Sequence, residues 1–340
     1  MNEVIEMVAA PLSYSSGRTN GPRPINLRKD IPQVLTLLNL VFRTSRASDA
    51  NHVLDQMSLA QHPWFILRLR QWVEGIVPGY VWEESGSIVG NVSVLTTRMK
   101  GRFLVANVAV HPRFRRQGIA RNLMETVVQH VRERGGRELL LQVRQDNEAA
   151  IGLYESIDFE QLGSMTSWYS SFRQFHLLPV PVSSRSPDHN GEFFIRPLRS
   201  GEWREAYALD TAVVPANLNW PEPLPADHYR GGLRRWFSNV VNARQAETWV
   251  AEADDGRLAG LAAIQSEWGR LHTLSLRALP EWRGAVEQPL LAKLLRRLQH
   301  MYRRNIRIDH PAEDEVANDL LRRANFVPRR TLTTMALTIR

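Results

Sequence analysis

The chain has 340 residues, 43% of them apolar, and 43 basic against 35 acidic side chains give it a formal net charge of +8. That length allows two ordinary domains with packed cores, and the positive balance points to an anionic partner: nucleic acid, a membrane surface or a phosphorylated cofactor. The absence of cysteine excludes disulfides, thiolate metal sites and a cysteine nucleophile.

Residues 1–22 end in a Ser/Gly/Asn/Pro-rich stretch and read as a flexible arm, with Glu3 and Glu6 in place of the basic region of a secretory signal. Ile31 to Arg43 has apolar residues at helical spacing. Tyr80–Glu83 and Ile88–Leu95 read as strands paired around a Ser-Gly turn, and Arg102–Val110 as a third, strongly apolar strand. Ala120–Arg134 is a helix with Leu123, Val127, Val128 and Val131 on one face, stopped by Gly135-Gly136. Glu138–Val143 is a buried strand, Asn147–Ser156 a helix, and Phe159–Leu162 and Thr166–Tyr169 two further strands. Strand–helix–strand in the middle implies a parallel pair within a mixed sheet.

Leu177 to Gly191 is rich in proline and polar residues and reads as a linker. The segments on either side resemble each other. The hairpin glycines Gly90 and Gly260 are offset by 170 residues, the strand-end prolines Pro112 and Pro280 by 168, and the helix-end phenylalanines Phe159 and Phe326 by 167. A nearly constant offset across three landmarks indicates a duplicated domain. The expected division is an arm at 1–22, a domain at 23–176, a linker at 177–191 and a second domain at 192–340.

The run from Asn107 to Arg121 carries the chemistry. A strand ends at Pro112, a basic turn follows, and a helix begins near Gly118. The first amides of a helix have no internal partners and sit at the positive end of its dipole, so they make an anion site. Gly118 lets backbone approach a ligand, Ala120 keeps the wall low, and Arg115, Arg116 and Arg121 add charge.

Arg115-Arg116-Gln117-Gly118-Ile119-Ala120 resembles the Gln/Arg-x-x-Gly-x-Gly/Ala signature of the GNAT acyltransferase superfamily, and Val108 to Pro112 resembles the strand before it. Asn147 to Phe159 is similar to the second signature, Asn-x-x-Ala-x-x-Leu-Tyr-x-x-x-Gly-Phe, with Asp158 in place of the glycine. The resemblance covers about residues 24–175 and implies an α/β fold of two tandem GNAT-like domains, each a central mixed sheet flanked by helices. It implies acetyl-CoA as cosubstrate and a primary amine as acceptor, with backbone groups of Val108, Ala109 and Val110 along the pantetheine arm. The turn from Arg115 through Arg116, Gln117, Gly118, Ile119 and Ala120 to Arg121 then holds the pyrophosphate, and Asn147 contacts the cofactor.

Tyr154 matches the tyrosine that similar enzymes place near the thioester sulfur, where a phenol can protonate a departing thiolate. Asn107 stands where many members carry a glutamate; it can orient water or substrate but cannot act as a base. Glu74 is a candidate base, beside deprotonation through ordered water. In the second copy, Gly118 falls on Val286, Ala120 on Gln288 and Tyr154 on Leu321, and Glu287 brings negative charge, so that copy is expected to have lost its site. No zinc spacing, nucleotide-triphosphate loop or nucleic-acid recognition motif occurs, and no apolar run approaches the ~18 residues of a membrane span. The expected protein is a cytoplasmic N-acetyltransferase without a metal; the rival is a CoA-binding regulatory or scaffold protein without turnover. The acceptor's identity and assembly into a homodimer stay open.

Overall fold

The computed structural model describes residues 20–46, 76–179, 192–215, 218–220, 224–230, 244–267 and 271–339. The first half runs β1 (Gly21–Pro24), α1 (Ile31–Arg46), β2 (Ile76–Glu84), β3 (Ser87–Thr96), β4 (Arg102–Val110), α2 (Ile119–Glu133), β5 (Glu138–Arg144), α3 (Glu148–Glu155) and β6 (Glu160–Ser170). The second half repeats that order: β7 (Phe193–Pro197), α4 (Trp203–Val213), β8 (Arg244–Ala253), β9 (Leu258–Glu267), β10 (His272–Ala278), α5 (Glu287–Leu298), β11 (Ile306–Pro311), α6 (Glu315–Arg323) and β12 (Val327–Thr338). The duplication reaches individual side chains. Arg23 bridges Asp30 and Glu83, and Arg196 bridges Glu202 and Glu252 at the matching places. Each of the two arginines also donates to the carbonyl of the proline that follows it.

All twelve strands form one sheet, in the order β1-β2-β3-β4-β5-β12-β6-β11-β10-β9-β8-β7. The pairs β4–β5 and β10–β11 are parallel; the other neighbours are antiparallel. The last strands of the halves are exchanged. β12 lies beside β5 and β6 beside β11, so each half completes the other's sheet. Their side chains follow. Met335 and Ile339 are buried in the first half's core with Leu123, Val127 and Val131, while Trp168 is buried in the second half's core with Leu290, Leu294 and Ile308.

Local chemistry explains the elements. Ser85 and Gly86 both take positive φ, the two-residue turn whose twist suits a hairpin. α2 buries Leu123, Met124, Val127 and Val131 against the sheet and ends at Gly135, whose φ of 68° is a left-handed helix stop. α1 and α4 cover the opposite face, over clusters containing Val81 and Ala109 in one half and Val250 and Leu261 in the other.

Two expected boundaries move. Gly21 and Pro22, read as the end of the arm, pair with Glu83 and Trp82 in β1. The two short strands before the linker are one strand, β6. Gly163 takes φ 147° at a register slip against β12 between Thr334 and Met335, so the polar break marks an irregularity inside a strand and not its end. Most of the expected linker lies outside the described residues, as does Glu74.

Candidate active site

β4 and β5 pair only from Arg102–Glu138 to Val105–Leu141; beyond that the strands splay, leaving a wedge between Ala106–Val110 and Gln142–Arg144. β4 also carries a bulge. Asn91 faces Ala109 and Ser93 faces Ala106, so Asn107 and Val108 oppose the single residue Val92. Asn107 takes φ 54°, a left-handed conformation that asparagine tolerates better than most residues. Asn91 Nδ2 donates to the Asn107 carbonyl at 2.9 Å, and Asn107 Nδ2 donates to Ser93 Oγ at 3.4 Å. Asn91 and Ser93 were not among the sequence-derived candidates. Their signal was available: two polar residues at alternate positions of the otherwise apolar run Ile88–Leu95, out of phase with Val92 and Val94.

After β4 the chain makes a 3-10 turn over Pro112–Phe114. His111 shapes this turn, its Nδ1 accepting from the Arg113 amide and its ring meeting Phe114 edge-on. Arg116 (φ 63°) and Gly118 (φ 78°) then take left-handed conformations on either side of Gln117, and α2 starts. None of the backbone amides from Arg116 to Arg121 has a hydrogen-bond acceptor among the described residues. Successive unpartnered amides at a helix start make a concave anion nest. A Cβ built on Gly118 would meet only Asn122 Nδ2, at 3.5 Å, so its need for glycine comes from φ and not from crowding. Ile119 is buried under the turn, Ala120 is half-buried and Gln117 is exposed.

The arginines divide. Arg115 reaches back toward the Val110 carbonyl (Nε to O, 3.4 Å) and stays exposed. Arg121 is committed to α3: its guanidinium donates to Ser156 Oγ at 2.6 Å and to the Ser156 carbonyl at 3.3 Å. Arg121 therefore ties two helices together, and its backbone amide, not its charge, belongs to the nest. Asn147 caps α3 by accepting from the Ala150 amide, and the Gln145 amide anchors the loop before it to the Thr331 carbonyl of β12.

Tyr154 lies on the inner side of α3, 6% exposed, with its ring 6.0 Å from Phe159 and Met335 and Ile339 of the exchanged strand in the same core. Burial in these apolar surroundings pushes its phenol up to about 12, against the ordinary value near 10 expected from the sequence. The hydroxyl therefore stays protonated at neutral pH.

The second copy shows what happens when the nest closes on itself. Gly284 keeps the first left-handed position (φ 86°), but Val286, aligned with Gly118, has φ −95°. The Gly284 amide donates to Glu287 Oε2 at 2.8 Å, and the Ala285 and Val286 amides return to the Trp282 carbonyl. Glu287 is 1% exposed, and burial raises its carboxyl above the ordinary range. The protein's own carboxylate thus occupies the ground where the first copy leaves amides open. β10 also lacks the bulge; its ladder with β9 runs without a slip from His272–Ser266 to Ala278–Gly260.

A mixed sheet with a splayed parallel pair, a bulge beside the splay and an amide nest at the following helix together make one continuous candidate site. Residues 47–159 match the family model described as Acetyltransferase (GNAT) family. That match takes in 113 of the chain's 340 residues, all within the first half. The ribosomal protein bS18-alanine N-acetyltransferase of Escherichia coli K12 is 41% identical over 63 residues, 18% of this chain and 43% of that protein. The chain thus spans less than half the length of that relative. An N-alpha-acetyltransferase of Sulfurisphaera tokodaii is 25% identical over 154 residues, 41% of this chain and 92% of that protein. A GCN5-related N-acetyltransferase from Sphaerobacter thermophilus shares the fold over 94% of this chain and 95% of its own, with a TM-score of 0.57 at 18% identity. Among the described residues no group of His, Asp and Glu could hold a metal ion, and no helix is long and apolar enough to cross a membrane.

Proposed function

We propose that the chain moves acetyl from acetyl-CoA directly to a primary amine held with it in a ternary complex, using the first copy alone. The observation that carries this is the row of open amides from Arg116 to Arg121 at the mouth of the β4–β5 wedge. In this reading the amides and Arg115 and Arg116 take the pyrophosphate, the β4 edge from Val108 to Val110 runs along the pantetheine arm, and Asn147 adds a polar contact. The second copy, with Glu287 in its own nest, binds no cofactor.

The chemistry is one of positioning. The amine nitrogen attacks the thioester carbonyl carbon, the C–S bond breaks, and the nitrogen's proton ends on the sulfur. Backbone amides at the bulge polarise the carbonyl as charge develops on its oxygen. Tyr154 donates to the departing sulfur. With its phenol near 12 and a thiol near 8.5, full transfer would be uphill by about 4.8 kcal/mol, so the net proton comes from the amine.

That ranks the acceptors. Neutralising a lysine-like amine at pH 7 costs about 4.6 kcal/mol, whereas an α-amine with pKa near 7.7–8.0 costs only about 1 kcal/mol. Among the described residues, the side-chain contacts at the bulge come from amide and hydroxyl groups (Asn91, Asn107, Ser93). An α-amine at a protein N-terminus fits such a site, and the relatives' names, a ribosomal-protein alanine N-acetyltransferase and an N-alpha-acetyltransferase, support the same class.

The test is a screen of N-terminal peptides, lysine peptides and small amines for CoA release, with Tyr154→Phe as control. Release with an N-terminal peptide that falls about 100-fold in the variant is expected. CoA binding without release from any amine class would instead establish a CoA-binding regulatory protein.

A further inference from the structure

Asn91 enters the reading above only as one of the polar groups at the bulge, yet its own surroundings are specific. It is 1% exposed, its Nδ2 holds the Asn107 carbonyl, and its Oδ1 is buried with no hydrogen-bond partner among the described residues. A Cβ on Gly90 would meet Ile119 and Leu123, and Val92 and Val94 lie in the core under α2, so by strand alternation Asn91 and Ser93 face the α1 side. That is the side opposite the amide nest, from which an amine would meet the wedge.

The second copy supplies an internal control. Between the pairs Gly90–Val110 and Thr96–Phe103, β4 uses one residue more than β3. Between Gly260–Ala278 and Ser266–His272, β9 and β10 use equal numbers. The residue matching Asn91 is Leu261, fully buried under α4. So the copy with an asparagine at this position has a bulge with a left-handed residue, and the copy with a leucine has a regular ladder.

We propose that Asn91 is a positioning residue that pins the β4 bulge by holding the Asn107 carbonyl, and that its unpartnered Oδ1 seats an N–H of the acceptor amine or an ordered water on the α1 side. The inference rests on the acetyl-CoA reading for its catalytic meaning, but the pin itself is a property of the free protein. A left-handed Asn107 persists only where its surroundings over-determine it. Without the Nδ2 donor, the carbonyl loses the contact that keeps that residue turned, and the bulge amides lose their aim at the thioester.

The experiment is Asn91→Leu, which reproduces the second copy, read in two ways. In the free protein, hydrogen exchange at the Asn107 and Val108 amides should rise at least tenfold, while Leu140 and Leu141 in β5 keep their rates. In the complex with carbonyl-labelled acetyl-CoA, the infrared carbonyl band should be shifted to lower frequency in wild type relative to free acetyl-CoA. That shift should fall by more than half in the variant, with CoA affinity held within about threefold. Asn91→Leu with Asn107→Gly should recover both readings toward wild type, because glycine takes φ near 54° without a pin. A merely structural role for Asn91 does not predict that rescue. Should Asn91→Leu not fold, Asn91→Ser removes the same donor without added bulk. Unchanged exchange at Asn107 and Val108, or an unrecovered double variant, overturns the pin. Absence of acetyl-CoA binding in wild type overturns the parent reading and leaves the exchange result to decide the pin alone.

Discussion

Gly118→Ala separates backbone conformation from space at the nest. The added methyl would meet only Asn122 Nδ2 at 3.5 Å, an ordinary contact, so crowding contributes nothing. The cost lies in φ, which at 78° is left-handed. For an L-residue that conformation costs about 1–2 kcal/mol, a factor of about 5–30. Part of that cost is lost stability, and part is relieved by relaxation of the turn, which swings the helix-start amides away and lowers CoA affinity by up to the same factor. Gly86→Ala is the matched control. Gly86 has φ 84° and open space around its would-be Cβ, so it carries the same backbone cost in the β2–β3 hairpin, away from the nest. Thermal unfolding and calorimetric titration with CoA on both variants check the prediction. Both should be destabilised, and only Gly118→Ala should bind CoA about tenfold more weakly. Equal CoA affinity in the two variants would refute the reasoning that this glycine shapes an anion site.

Three further outcomes follow from the same geometry. Burial raises the folded pKa of Tyr154 from 10 to about 12, so the folded state holds this proton longer than the unfolded chain; its stabilising effect is complete below pH 10 and is lost as pH rises toward 12. The melting temperature of wild type should therefore fall more steeply than that of Tyr154→Phe between pH 9.5 and 11.5, as circular dichroism would show. Glu287 has a raised carboxyl pKa, so its burial penalises the folded state as pH climbs above the unfolded value; Glu287→Gln should melt higher than wild type at pH 7 and lose that advantage near pH 4. Arg121 is bonded to Ser156, so Arg121→Ala should cost about 0.5–1.5 kcal/mol in urea unfolding and change CoA affinity less than threefold, whereas Arg116→Ala should weaken CoA without destabilising the fold.

Most of the first copy's elements were legible because their signals are local: the Ser85-Gly86 turn, the apolar face of α2 and the Gly135-Gly136 stop each lie within a few residues of what they determine. The amide nest was legible for the same reason. The duplication was legible too, and even its drift had meaning. The fall in offset from 170 at the hairpin glycines to 168 at the strand-end prolines reflects one residue in the β3–β4 loop and one in the bulge. The bulge itself was missed because a one-residue insertion leaves no mark in a run as apolar as Phe103–Val110; only comparison with β10 exposes it. The exchange of β6 and β12 was also hidden. Both strands open exposed and carry three consecutive buried residues, and nothing within a strand says which copy it will join. The bond from the Arg121 guanidinium to Ser156 was hidden too, because it joins residues 35 apart in sequence and no local pattern marks it.

The exchanged strands set a timetable for the chain. β5 is complete at Arg144, but its partner β12 begins at Val327, so during synthesis the first core waits for nearly the whole second half before Met335 and Ile339 can close it beneath Tyr154. Long-range pairing of this kind is slow, because loop closure must precede any contact that rewards it. The amide nest is read out early, yet the helix carrying Tyr154 is seated only when the C-terminal strand arrives. A copy whose own turn is closed by Glu287 is thereby kept indispensable: the chain cannot discard its second half without opening the floor of the first.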